Sequence, residues 1–128
     1  MTHFDTIFLV DDDPINNLIN KRLLGKVGIS KNIHEFLEGE EALKALNNFP
    51  ESSSLLIFLD INMPVLNGWE FLKKYEKNFI HRKDKIVILS SSIDYQDRDR
   101  AKTYSTVSGF LEKPLTIDKI MIYLATHP

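Results

Sequence analysis

Apolar positions in this chain gather into short runs, and four of the runs end abruptly on polar chemistry. Ile7 to Val10 breaks into Asp11-Asp12-Asp13-Pro14, and Leu55 to Leu59 stops on Asp60 with Pro64 close behind. Lys85 to Leu89 gives way to Ser90-Ser91-Ser92, and Gly109-Phe110-Leu111 to Glu112-Lys113-Pro114. Uninterrupted apolar runs of this length are the pattern of strands covered on both faces. Pro64 has no amide hydrogen to continue a ladder, so the central strand has ended by that point. Ile33 to Leu37 is a weaker fifth strand.

Between the strands the apolar period changes from continuous to helical. Pro14 suits the first helical position with Asp13 as N-cap, and Ile15, Leu18, Ile19 and Leu23 follow at helical spacing as the expected inward face. Gly25 and Gly28 are stop signals. Gly39 reopens a helix whose Ala42, Ala45, Leu46 and Phe49 keep the period, and Pro50 to Ser54 forms a loop. Asn67-Gly68 marks a turn or helix entry before the face Phe71, Leu72, Tyr75. Asp94 to Tyr104 is mostly charged, with only Ala101 and Tyr104 to turn inward, so this helix is expected to be the least firmly packed. Thr116 caps a last amphipathic helix through Ile117, Ile120, Met121 and Leu124.

Strand and helix thus alternate five times, which predicts an α/β fold: a parallel sheet with helices on both faces. All carboxyl ends of a parallel sheet share one edge, where open α/β sheets hold their ligands. That edge gathers Asp11, Asp12, Asp60, Ser90 and Lys113. Two carboxylates about 4 Å apart repel by roughly 4 kcal/mol at an effective dielectric near 20, so the cluster takes up protons or recruits a cation. Oxygen-only donors favour a hard divalent ion, and Mg²⁺ in particular uses one or two carboxylates and shares phosphate oxygens. A carboxylate sharing such an ion with a phosphoryl group is well placed as nucleophile, with Lys113 and Ser90 positioned to stabilise phosphoryl oxygens.

Val10-Asp11-Asp12, Leu59-Asp60-Ile61-Asn62-Met63-Pro64 with Asn67-Gly68, Leu89-Ser90 and Lys113-Pro114 together resemble the receiver domain of two-component response regulators, of the single-domain, chemotaxis-type kind. The resemblance runs from about residue 5 to 124. It implies a flavodoxin-like (βα)5 fold with strand order 2-1-3-4-5, in one receiver domain spanning 1–128 without an output domain. It implies Asp60 as phosphoacceptor from a phosphohistidine, and Asp11 and Asp12 as holders of Mg²⁺ (or Mn²⁺) together with Asp60 and the backbone carbonyl of Asn62. Lys113 matches the phosphate-binding lysine, with a cis peptide before Pro114. Ser90 matches the switch hydroxyl, with Ser91 the alternative, and Phe110 the switch aromatic. Asn62 and Ser92 flank the hydrolytic water's route. The implied partners are a sensor histidine kinase or a histidine phosphotransfer protein, and a downstream protein reading the fourth helix, fifth strand and fifth helix.

Composition narrows the classes. The chain has 128 residues, 43% hydrophobic and 27% charged, with a net charge of -2. That suits one globular domain and gives no basic footprint for nucleic acid. Absence of cysteine removes disulfide, thiol and Cys-type zinc chemistry and suits a reducing compartment. No run approaches the roughly 18 residues of a membrane span, and the N-terminus lacks a signal pattern, so the expected location is cytoplasmic. His3, His34, His81 and His127 have no ligand spacing. Two rivals share the sheet edge. An aspartyl phosphatase normally carries a second acid two residues after its nucleophile, where this chain has Asn62. A non-phosphorylated interaction module has no reason to collect acids that cost stability. The expectation is therefore a phosphoacceptor switch rather than a turnover enzyme, either standalone or as a receiver from a longer hybrid kinase.

Overall fold

A computed structural model describes residues 4–91 and 94–126. Each strand is followed by a helix: β1 (Thr6–Val10), α1 (Pro14–Val27), β2 (Ile33–Phe36), α2 (Gly39–Ala45), β3 (Leu55–Leu59), α3 (Gly68–Asn78), β4 (Lys85–Ser90), α4 (Tyr95–Lys102), β5 (Val107–Glu112) and α5 (Ile117–Thr126). The five strands are parallel in the order β2-β1-β3-β4-β5. Both the α/β class and the 2-1-3-4-5 order therefore hold.

Alternation along the central strands divides the apolar side chains between two layers. Phe8, Val10, Leu55, Ile57 and Leu59 face α2 and α3, meeting Ala42, Leu43, Phe71, Leu72 and Tyr75. Ile7, Leu9, Leu56 and Phe58 face the other way, onto Leu24 of α1 and Ile120 and Tyr123 of α5. Each fully buried Leu, Ile or Phe contributes about 2 kcal/mol relative to exposure. At the amino end of β4 a buried Arg82–Asp84 pair (2.7 Å) receives the Tyr75 hydroxyl, and Arg82 also donates to the Phe49 carbonyl at 2.6 Å. This ties α3 and the segment after α2 to the sheet.

Several helical details differ from the sequence reading. In α1, Ile15 and Ile19 are 67% and 56% exposed and Leu18 is also exposed, while Asn17, Asn20 and Leu24 turn inward. The rotation has a polar cause: the Asn17 side-chain amide donates to the carbonyls of Asp11 (3.0 Å) and Phe36 (3.3 Å) at the ends of β1 and β2. In α5, Ile117 and Met121 are exposed, and Ile120 and Tyr123 form the inward face with Leu124 half-buried. Ile120 and the Tyr123 ring join the apolar layer under α1, and the Tyr123 hydroxyl meets Ser108 Oγ of β5 at 2.7 Å. The helix opened by Gly39 is α-helical only to Ala45 and tightens into a 3-10 turn at Leu46–Asn48. β5 begins at Val107, two residues earlier than the apolar run suggests: Val107 pairs with Ile86 and Gly109 with Val87, and Ser108 bulges between them.

Candidate functional site

Register brings the acids together. β1 and β3 pair Val10 with Leu59, so Asp11 and Asp60 leave adjacent strands at the same level. The Asp60 amide donates to Val10 O and the Asp11 amide to Phe36 O, each at 3.0 Å, so both peptides continue the ladder one residue past the strands. Asp11 and Asp60 are buried and Asp12 is exposed. Carboxylate oxygens from all three lie within 4.8 Å of one another.

Each buried acid has its two oxygens in different uses. Asp11 Oδ1 accepts from the Asp13 amide (2.9 Å) and Asp60 Oδ1 from the Asn62 amide (3.0 Å), the local Asx geometry of acids in turns. The second oxygens face Lys113, whose Nζ is 2.7 Å from Asp11 Oδ2 and 3.4 Å from Asp60 Oδ2. Burial raises the Asp60 carboxyl above its ordinary value, and the Asp11 charge adds to this; the Asn62 amide and Lys113 offset part of it. Burial alone would lower the Lys113 ammonium, but the hydrogen bond to Asp11 and the charges of Asp60 and Asp11 outweigh it and raise it.

The surrounding loops are built to hold this geometry. Asp13 caps α1, its Oδ1 accepting from Ile15 N (2.9 Å) and Asn16 N (3.4 Å), so it stands apart from the acid cluster. The loop after β3 folds back on itself: Leu66 N donates to Pro64 O across Val65, and Gly68 N to Ile61 O. Val65 has φ 67° and is 96% exposed, a left-handed conformation that a β-branched residue seldom adopts. Asn67 and Glu70 complete a capping box that starts α3. Lys113-Pro114 is cis, as expected, and Lys119 of α5 braces this turn by donating to the carbonyls of Glu112 (2.7 Å) and Pro114 (2.9 Å).

Ser90 ends β4 opposite Glu112 and is fully buried, and its carbonyl accepts from Lys113 N at 2.6 Å. Ser91 lies beyond the strand and is exposed, so Ser90 is the serine that the sheet carries to the edge. Asn62 is exposed and contributes its amide to Asp60. Phe110 is half-buried on β5, with the Arg98 guanidinium of α4 over its ring at 5.3 Å. Ser92, His3 and His127 lie outside the described residues. Sequence reasoning missed Asn17, because apolar periodicity assigns that position to the surface. It also missed the Asn67–Glu70 box, although its Asn-x-x-Glu spacing was legible.

Chemically, the mouth presents three carboxylates from two strand ends and one ammonium that neutralises part of their charge. The donor set is all oxygen, with no imidazole or thiolate, and fits a hard divalent cation held by Asp11, Asp12 and Asp60. Among the described residues no helix is long and apolar enough to cross a membrane.

The family model for the response regulator receiver domain matches residues 7–125. The two-component response regulator ARR22 of Arabidopsis thaliana is 32% identical over 115 residues, covering 89% of this chain and 77% of that protein. Hybrid signal transduction histidine kinase L of Dictyostelium discoideum is 29% identical over 113 residues, covering 85% of this chain but only 6% of its own length. A two component response regulator from Cytophaga hutchinsonii superposes with a TM-score of 0.84 at 29% identity, covering 96% of each chain.

Proposed function

Since the chain belongs to the response regulator receiver family of two-component signalling, we propose that it is a phosphorylation-activated switch with Asp60 as the acceptor. An Asp60 carboxylate oxygen attacks the phosphorus of a phosphohistidine on a sensor histidine kinase or histidine phosphotransfer protein. The P–N bond breaks, and the imidazole leaves with the electron pair and takes up a proton. The observation that carries this reading is the convergence of Asp11, Asp12, Asp60 and Lys113 on one edge, with Asp60 Oδ2 turned toward the ammonium and Oδ1 held by Asn62.

Asp11, Asp12, Asp60 and the backbone carbonyl of Asn62 are the proposed holders of Mg²⁺ (or Mn²⁺). When bound, the ion neutralises the acids and polarises phosphoryl oxygens. Lys113 compensates the charge that develops on the transferred group, and the Ser90 hydroxyl donates to one of its oxygens. On that contact Ser90 and Phe110 move together, and α4, β5 and α5 become the face read by a downstream protein. The outward Ile15, Leu18 and Ile19 of α1, beside the mouth, suit the docking of the phosphodonor. The group transferred stays on the protein's own side chain, so the chain is a switch and not a turnover enzyme. Asn62, two residues after Asp60, cannot shuttle a proton as the acid of an aspartyl phosphatase does.

Intact mass after incubation with acetyl phosphate and Mg²⁺, for wild type and Asp60→Asn, tests the reading. One phosphate adduct that requires Mg²⁺ and is absent from the variant is expected. No adduct, together with no Mg²⁺ binding by titration, overturns it.

A further inference from the structure

We infer that Asn17 is a positioning residue for the metal-binding mouth: its side-chain amide fixes the height of the Asp11-Asp12 peptide, and through it the affinity for Mg²⁺. The inference rests on the reading of the acid cluster as a Mg²⁺ site. Asn17 is 1% exposed and sits in the first turns of α1, on the face turned toward the sheet. Its Nδ2 donates to Asp11 O at 3.0 Å and to Phe36 O at 3.3 Å. Phe36 O also accepts the Asp11 amide at 3.0 Å, and Asp11 Oδ1 accepts the Asp13 amide. The Asp11 residue is thereby held at its amide, its carbonyl and one carboxylate oxygen, with Lys113 on the other oxygen; among the described residues Asn17 is the side chain that holds its backbone.

The amide is retained at a cost. Asn17 Oδ1 is buried with no hydrogen-bond partner among the described residues. An apolar side chain would avoid that cost and continue the packing of Leu24 on the same face, but would leave the Asp11 carbonyl without its side-chain donor. Rotating the amide would aim Oδ1 at two carbonyl oxygens, so only the observed orientation is favourable. What the side chain supplies is therefore its pair of donors to the ends of β1 and β2. A six-coordinate Mg²⁺ demands near-ideal ligand placement, so a carboxylate loop free to shift by tenths of an ångström binds it less well. Residues that orient a ligand in this way typically change metal affinity by about 10-fold to 100-fold when removed.

Calorimetric titration with MgCl₂ alone separates this role from a structural one. The variants are Asn17→Leu and Asn20→Leu, the latter buried on the same face of α1, with urea unfolding in EDTA measured beside them. Asn17→Leu is expected to stay folded at lowered stability, because the Asp11 carbonyl loses its side-chain donor, while its Kd for Mg²⁺ rises about 10-fold; Asn20→Leu should bind as wild type does. Asn17→Ser retains one short donor and should fall between. Unchanged affinity in a folded Asn17→Leu overturns the inference, as does an equal loss in Asn20→Leu or a loss that tracks unfolding. Should wild type itself fail to bind Mg²⁺, or Asp12→Asn bind as well as wild type, the metal reading falls and this inference with it. Wild type binding normally while Asn17→Leu does the same removes only the role of Asn17.

Discussion

Lys113 and Asp11 are 102 residues apart in the chain and 2.7 Å apart in the fold, a closer approach than the 3.4 Å from Lys113 to Asp60. Without a metal the ammonium is thus the counter-charge of an acid proposed to hold the ion, more than of the proposed acceptor. If Asp11 holds the ion as proposed, lysine and metal compete for the same carboxylate. Replacing Lys113 by Met should therefore tighten Mg²⁺ binding severalfold while slowing phosphoryl uptake from acetyl phosphate by about 10²-fold, the usual size of losing one donor to a developing anion. In EDTA the variant should lose about 1–3 kcal/mol, since it leaves two largely buried acids without their cation. Calorimetry, phosphorylation kinetics and urea unfolding check the three parts. Weaker Mg²⁺ binding in the variant would mean that Lys113 organises the acids rather than competing for them.

Asp60 gives a pH dependence of definite sign. Its carboxyl is raised by burial first, with the Asp11 charge adding to it. A raised acid favours the fold most below its ordinary value near ~3.9, and that contribution is lost as pH rises through the higher folded value. At neutral pH the ionised group therefore strains the fold. Asp60→Asn should be more stable than wild type by about 1 kcal/mol at pH 7 in EDTA, and the gap should close as pH falls toward 4. The raised Lys113 ammonium works at the other end of the scale. Its contribution is full below its ordinary value near ~10.4 and is lost only above it, so unfolding between pH 4 and 8 isolates the acid. A gap that is constant across that range rules this account out.

Gly68 tests how much the loop after β3 matters to Asp60. A Cβ on this glycine would lie 2.5 Å from the Ile61 Cα, a backbone atom that cannot rotate away. Gly68 N also donates to Ile61 O at 3.1 Å, so the clash falls on the residue beside Asp60. Gly68→Ala should cost about 1–3 kcal/mol and slow phosphorylation by more than the loss of folded protein explains. Gly109→Ala is the comparison, because its Cβ would meet the Tyr123 ring at 3.2 Å, away from the acids. It should destabilise the fold and leave phosphorylation of the folded fraction unchanged.

The strands and the mouth were legible because β1, β3 and β4 are continuous apolar runs and β5 closes on a shorter one, and in a parallel sheet the residues that follow the run have a fixed destination. Asp11, Asp60, Ser90 and Lys113 all follow from that rule. Helix rotation was less legible. In α1 the apolar residues Ile15, Leu18 and Ile19 face outward because two hydrogen bonds from Asn17 to strand-end carbonyls set the rotation. Periodicity counts apolar side chains and cannot weigh a buried polar bond against them. The Arg82–Asp84–Tyr75 group was hidden for the same reason: two charges in a loop read as solvated, yet both are buried and paired. In α5, burial of Ile120 and of the Tyr123 ring, whose hydroxyl also meets Ser108, leaves Ile117 and Met121 on the outer face.

Helix α4 is fastened chiefly by aromatic rings and guanidinium groups. Ala101 is its buried residue. Arg98 lies over the Phe110 ring at 5.3 Å, Arg100 over the Trp69 ring at 4.5 Å, and Trp69 stacks on Tyr104 at 6.1 Å. A cation over a ring contributes about 0.5–1 kcal/mol at such sites, against about 2 kcal/mol for a buried Leu. The helix should therefore open locally well before the sheet does. Arg98→Gln and Arg100→Gln should each raise amide hydrogen exchange in α4 by about 2-fold to 5-fold, and together by about 10-fold, with β1 and β3 unchanged. Equal acceleration in the sheet would mean that the arginines stabilise the whole domain. The two contacts also differ in what they report. If phosphorylation at Asp60 draws Phe110 inward, the ring leaves Arg98, while Arg100 stays over Trp69. Phosphorylation should then accelerate α4 exchange in wild type and in Arg100→Gln, but add little in Arg98→Gln, where the contact has already been lost.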